Sequence, residues 1–239
     1  MDIPCISRAV TCNRFEEIKI FLHFKDNGVE AKYGEPGYDK LFKIRPLLDK
    51  IRERFLLVPN EEHMAVHEQI IPTKARSSLK QYNPKKPHKW GYKVFILSGI
   101  SGFSYDFDFY VGTIDPEPDY PDLGASSNVV VKLAKTIPQN LNHKLFFDNW
   151  FSSIRLLVYL TKIGILPIGT IRANRMPDLV FPKESEMKKI GRGTFMERVV
   201  CIDGVDVSVV CWYDNKLQIQ FQLLLGVIHL VIYKDFVEK

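Results

Sequence analysis

Residues 143–171 constrain the fold more than any other stretch. His143 to Phe147 is a short apolar run closing on Asp148, the length and pattern of a buried strand. Residues 152–164 follow with apolar residues at helical spacing, Ser152 and Ser153 as capping residues and Gly164 as a stop. Residues 165–171 are again short and apolar. Strand, helix and strand with such short links predict a parallel, right-handed crossover. The middle of the chain is therefore expected to be an α/β sheet.

The flanks read differently. Residues 13–24 carry apolar side chains at helical spacing, with Asn13 as the expected N-cap and Asp26-Asn27-Gly28 as the stop. A second helix is expected over 39–55 on the stripe Leu41, Ile44, Leu47, Leu48, Ile51 and Phe55, with Pro46 kinking or splitting it. Further strands are expected at 63–71, 90–98 and 105–112, and a helix at 128–136. Residues 195–201 and 205–212 flank Asp203-Gly204, a two-residue hairpin signal. Leu217-Gln-Ile-Gln-Phe-Gln222 alternates with period two and reads as a strand running into an apolar tail, not as a membrane span.

Composition excludes some classes. Phe, Tyr, Leu and Ile are too plentiful for a disordered chain, and 46% hydrophobic with 26% charged residues is that of an ordinary soluble globular protein. Cys5, Cys12, Cys201 and Cys211 show neither a disulfide framework nor zinc-ligand spacing, so a reducing compartment is expected. No phosphate-binding loop and no serine-hydrolase elbow is present.

The net charge of +5 says less than its distribution. Between Gln69 and Tyr105 there is no acidic residue, while Lys74, Arg76, Lys80, Lys85, Lys86, Lys89 and Lys93 all fall there. Tyr82, Trp90 and Tyr92 are interleaved with them. A proline-punctuated loop of cations suits a phosphate backbone, and exposed aromatic rings suit bases. The competing reading is a solvated basic surface. Asp148, at the end of a buried strand, stands where α/β sheets place functional groups, although an N-terminal helix cap would use the same residue. His67 ends the first expected strand and is a second candidate, for example as a partner of Asp148 at a metal ion.

Several stretches together resemble the piggyBac transposases and the proteins derived from them. They are Asn13-Arg-Phe-Glu-Glu-Ile, Leu22-His-Phe-Lys-Asp-Asn27, Tyr38-Asp-Lys-Leu-Phe-Lys-Ile-Arg-Pro46 and Glu68-Gln-Ile-Ile-Pro-Thr-Lys74. Ser77 through Lys93, Asp148-Asn-Trp-Phe-Ser-Ser153, Gly169-Thr-Ile-Arg172 and Trp212-Tyr-Asp-Asn-Lys216 complete the set. The resemblance implies an RNase H-like mixed sheet, preceded by a helical segment and followed by a small β insertion. It divides the chain into a helical dimerisation and DNA-binding segment (1–60), the core (61–172), the insertion (173–216) and a divergent tail (217–239).

The same resemblance implies a catalytic centre in which three aspartates hold two Mg²⁺ ions. Asp148 retains the second aspartate and is the residue expected at a metal. His67 occupies the position of the first, and the motif carrying the third is not found before Lys239. Asp206, in Gly204-Val-Asp206, falls in the insertion. One carboxylate and one imidazole suit a Mg²⁺ pair poorly, because hard cations need several oxygen ligands. The expectation is a nuclear, transposase-derived protein that binds duplex DNA weakly and without sequence preference, needs no cofactor and does not cleave or join strands. Arg172 and Arg175 are expected to assist, and a homodimer is the implied assembly. The alternatives are a residual metal-dependent nuclease, using His67, Asp148 and a borrowed carboxylate such as Asp106 or Asp108, and a non-functional structural remnant.

Overall fold

A computed structural model describes residues 9–84, 86–176, 179–214 and 217–223. The chain divides into two compact units, Met1–Arg54 and Phe55–Lys239.

The first unit is helical. Helix α1 (Cys12–Phe21) is capped by Thr11, whose side chain accepts from the Arg14 amide, so it starts earlier than an Asn13 cap would place it. None of its residues is buried. Helix α2 (Arg45–Phe55) is shorter than expected. Pro46 neither kinks nor splits it; the proline stands in the first turn, where a missing N–H costs nothing. The turns before it are held by Asp39, which accepts from the Leu41 amide at 2.9 Å and pairs with Arg45 at 2.7 Å. The Arg45 guanidinium holds the Asp39 carboxyl below its usual range.

The second unit is built on a mixed sheet, so the expected α/β class is present. Its strands are β1 (His63–Pro72), β2 (Lys80–Tyr82), β3 (Trp90–Gly99), β4 (Ser104–Phe109), β5 (His143–Phe147), β6 (Ile165–Thr170), β7 (Phe195–Ile202), β8 (Val205–Tyr213) and β9 (Leu217–Leu223). Among the described residues they run in the order β2-β3-β1-β5-β6-β9-β8-β7, with β4 also on β3. β1, β5 and β6 are parallel, as the crossover argument requires; β3 joins β1 antiparallel. β2 pairs with the first residues of β3 and β4 with the later ones, so both lie along one edge of that strand.

One face of the sheet carries helices α3 (Ala125–Ala134) and α4 (Ile154–Lys162). Val130 and Leu133 of α3 and Leu156 and Leu160 of α4 share one buried cluster with Val66, Phe95, Leu97 and Leu145 of the sheet. Burying side chains of this size contributes roughly 1.5–3 kcal/mol each. The Ser153 hydroxyl caps α4 by accepting from the Leu156 amide. Beyond α4, Gly164 has φ 72°. A Cβ there would sit 2.4 Å from the Asn140 Cα, so left-handed strain and a backbone clash coincide. Gly164→Ala is expected to cost about 2 kcal/mol or more, read as a fall of roughly 4–8 °C in melting temperature.

The turn between β3 and β4 hangs on Glu61. Its carboxylate accepts from the Ser101 amide (3.1 Å), the Ser101 hydroxyl and the Tyr105 hydroxyl (3.0 Å). The Ser101 hydroxyl is the main reason the Glu61 carboxyl lies below its ordinary value of 4.5. A depressed folded-state value stabilises the fold above the unfolded value, and that contribution is lost as pH falls through the folded value. Melting curves taken from pH 6 down to about pH 3 are therefore expected to fall less steeply for Glu61→Gln than for the wild type.

The hairpin β7–β8 turns on Asp203 (φ 51°) and Gly204 (φ 76°), the two positive values a tight hairpin turn needs. Strand β9 then pairs with β8 on one side and with β6 on the other. The strands placed in an insertion are thereby continuous with the core sheet. The apolar tail expected beyond Leu223 lies outside the described residues, and no helix among the described residues is long and apolar enough to cross a membrane.

Candidate functional site

The parallel pairing of β1 with β5 sets Val66 beside Phe147. The residues that follow are the two singled out above. Asp148 comes directly after the C-terminal end of β5, whereas His67 lies mid-strand in β1, where its pairing with β5 stops, and not at the strand's end as expected. Open α/β sheets build their sites at carboxyl ends such as that of β5. Asp148 then opens a turn. Its Oδ1 accepts from the Trp150 amide at 2.8 Å, and its carbonyl accepts from the Phe151 amide. The Ser152 hydroxyl lies 2.6 Å from the Thr170 carbonyl and 2.9 Å from that of Asp148. The Ser127 hydroxyl, from α3, reaches the Phe151 carbonyl and the Ser153 hydroxyl. The Asp-Asn-Trp-Phe-Ser-Ser stretch is thus tied to β6, α3 and α4.

His67 is exposed, with its Nδ1 3.4 Å from the Ser98 hydroxyl. Partial desolvation first, and then the charge of Lys86, hold its imidazole below the ordinary range, so it is neutral at pH 7. The proposed substitutes for a missing carboxylate do not join it. Register places His67 opposite Ile96 and Phe107, whereas Asp106 pairs with Leu97 and Asp108 with Phe95, on the helix-covered face. Asp106 is buried and accepts from the Phe107 amide; Asp108 pairs with Lys132 at 3.0 Å. Glu68 also points to that face, toward Lys93.

The basic stretch is partly ordered as a hairpin. Residues 74–89 were expected as a loop, yet β2 forms within it, and the Asn83 amide donates to the Lys89 carbonyl at 2.7 Å. Lys74, Arg76, Lys86 and Lys89 are exposed, and Lys80 is half-buried. Among the described residues, only Lys86 of these approaches a carboxylate, Glu68 at 4.0 Å. Lys85 lies outside the described residues.

Three of the expected cations are engaged in the fold. Lys93 pairs with Glu68 at 2.7 Å and its Nζ stands 4.7 Å from the Trp150 ring, with Phe95 and Tyr110 beside it. Arg175 donates to the carbonyls of Trp150 and Ser152. Arg172 is exposed, and its Nε donates to Asn149 at 3.2 Å. The Lys93–Glu68 pair under Trp150 was hidden in the sequence, because the two residues meet only through the β1–β3 register. Lys93→Ala is expected to lower stability by about 2 kcal/mol, since it leaves the partly covered Glu68 carboxylate with only the more distant Lys86, while duplex affinity stays within about twofold of wild type. Thermal melts and titrations of the same variant check both.

Comparison with known proteins bears on this arrangement directly. A family model described as Transposase IS4, of the DDE type, matches residues 1–228. PiggyBac transposable element-derived protein 3 of Homo sapiens is 31% identical over 215 residues. PiggyBac transposable element-derived protein 2 of Homo sapiens is 30% identical over 218. The chain belongs to the piggyBac-type DDE transposase family. In both comparisons 89% of this chain is covered but only 35% of the relative, so it spans about a third of their length. Among solved structures, a piggyBac transposase synaptic complex with hairpin DNA matches with a TM-score of 0.72 at 21% identity, over 92% of this chain and 45% of that one. That likeness shows a shared fold.

DDE transposases use divalent metal ions held by carboxylates. The residues described here do not suit such a pair of ions. One carboxylate, Asp148, follows the end of β5 next to the β1 residue His67, Asp106 and Asp108 face the helices, and no group of three His, Cys, Asp or Glu side chains converges among the described residues.

Proposed function

We propose that this piggyBac transposase-derived chain is a DNA-binding protein that holds duplex through the β2–β3 hairpin and the loop before it, without cutting or joining strands. The observation that carries the binding half is the hairpin itself. Five described cations, Lys74, Arg76, Lys80, Lys86 and Lys89, lie on the hairpin and the loop before it, in a stretch of chain that contains no acidic residue between Gln69 and Tyr105. Neutralising phosphates with such side chains supplies sequence-independent affinity. The related synaptic complex was solved with hairpin DNA, which supports the same ligand class here.

The inactive half rests on His67. It follows Val66, the partner of Phe147 on the neighbouring strand, at the position where the resemblance calls for an aspartate, and a neutral imidazole neither bridges two hard cations nor offsets their charge. Weak, sequence-independent binding in the nucleus, without a bound cofactor and with self-association as the implied assembly, completes the reading. Anisotropy titrations of a short labelled duplex test the interface, with wild type compared to Lys85, Lys86 and Lys89 changed together to Ala. Equal affinities would remove the hairpin from the DNA surface.

A further inference from the structure

The β2–β3 hairpin carries more than charge. Tyr82 and Trp90 face each other across the two strands, and Lys80 faces Tyr92. Directly opposed residues of an antiparallel pair project to the same side, so all four share one face of the ribbon. The Tyr82 and Trp90 rings lie 4.8 Å apart at 44°. Such a pair stabilises a hairpin, but that role buries ring surface, and here Tyr82 is 51% and Trp90 52% exposed. Lys80 Nζ stands 5.4 Å over the Trp90 ring. Lys86 and Lys89 follow at the exposed tip.

We infer that the Tyr82–Trp90 pair is a stacking platform for unpaired nucleobases, so that the hairpin takes a single-stranded segment beside the duplex. The inference rests on the DNA-binding reading above and narrows its ligand. Half-exposed rings set among lysines fit a polyanion that also presents flat aromatic faces. A cationic ligand, the other usual guest of an aromatic pair, meets repulsion from Lys80, Lys86 and Lys89. Paired bases keep their faces inside the helix, whereas unpaired ones offer them to a protein ring.

The location adds to the case. Along β3, Trp90, Tyr92, Val94 and Ile96 alternate onto one face of the sheet, and Ile96 lies opposite His67. The platform is therefore on the His67 side, six residues along the strand, about 20 Å away at 3.3 Å per residue. That is about six base-pair steps of duplex. Gly91, between the two aromatic positions of β3, lets the hairpin fold against β1, because a Cβ there would lie 2.4 Å from the Ile71 carbonyl oxygen.

The test uses the full chain and two labelled probes, a blunt duplex and the same duplex with a single-stranded overhang of ~10 nucleotides. The overhang probe is expected to bind about tenfold tighter and to quench tryptophan fluorescence. Trp90→Ala and Tyr82→Ala are each expected to lose that preference while keeping blunt-duplex affinity. Trp90→Phe, which preserves a stacking ring and the hairpin, keeps most of the preference and loses the quench; it decides the matter if the alanine variants fail to fold. Equal binding of both probes by wild type, or a quench that survives in Trp90→Phe, overturns the platform and leaves duplex binding standing. Binding of neither probe overturns both.

Discussion

Raising salt from 50 to 200 mM is expected to weaken duplex binding about 150-fold. The figure follows from four phosphate contacts, each adding about −0.9 to the slope of log affinity against log salt, for a slope near −3.6. About four of the hairpin's exposed or half-exposed cations are expected to reach phosphates at once, because Lys93 and Arg175 are held within the fold. Changing Lys85, Lys86 and Lys89 to Ala is expected to bring the slope to about −0.9, so the same salt step then costs only about 3- to 4-fold. Sequence preference should not move, because phosphate contacts position a protein without reading bases. Salt-titrated anisotropy on two duplexes of unrelated sequence measures both quantities. Identical slopes in wild type and variant would place the DNA elsewhere on the molecule.

A second large effect concerns metal. Supercoiled plasmid incubated with wild type and Mg²⁺ or Mn²⁺ is expected to stay uncut, and neither ion should raise the melting temperature. His67→Asp sets carboxylates at the two positions that follow the last β1–β5 pair, Val66 and Phe147. That variant is expected to gain Mn²⁺-linked stability of about 1.4 kcal/mol when the ion is at ten times its dissociation constant, a rise of roughly 3–6 °C. The contrast isolates the imidazole as the obstacle. Metal-dependent nicking by wild type that vanishes in Asp148→Ala would defeat the inactive reading outright.

What the sequence made legible was local. The crossover around α4 could be read from the apolar run before Asp148, the Ser153 cap and Gly164, because each signal lies within one turn of the backbone it shapes. Asp148 and His67 stood out from their places on expected strands, and the family motifs, which survive as short words, matched them to the first two aspartate positions. What stayed hidden required partners far along the chain. Strand β2 is three residues long and begins with a lysine, so neither length nor hydrophobicity announces it; β3 creates it by pairing. Lys93 reads as one more cation in a basic run until the β1–β3 register brings Glu68 under it. Pro46 suggested a broken helix because nothing local announced that the helix starts only at Arg45, after turns held by the Asp39–Arg45 pair. Asp106 and Asp108 looked available as spare ligands, yet strand alternation turns both toward the helices.

Strand β9 has a consequence for how the molecule is made. The edge of β6 finds its antiparallel neighbour only in residues that begin at Leu217, long after Thr170 has left the ribosome. At a synthesis rate of roughly 5–20 residues per second, that edge waits for several seconds. During this interval the β7–β8 hairpin can close on its own turn, since its pairing is local, but β9, the strand that hydrogen-bonds it to β6, is still missing. An open edge of this kind invites pairing with other chains. Synthesis paused before Leu217 should therefore yield nascent chains that recruit holdase chaperones, and release of the next few residues should end that dependence in one step.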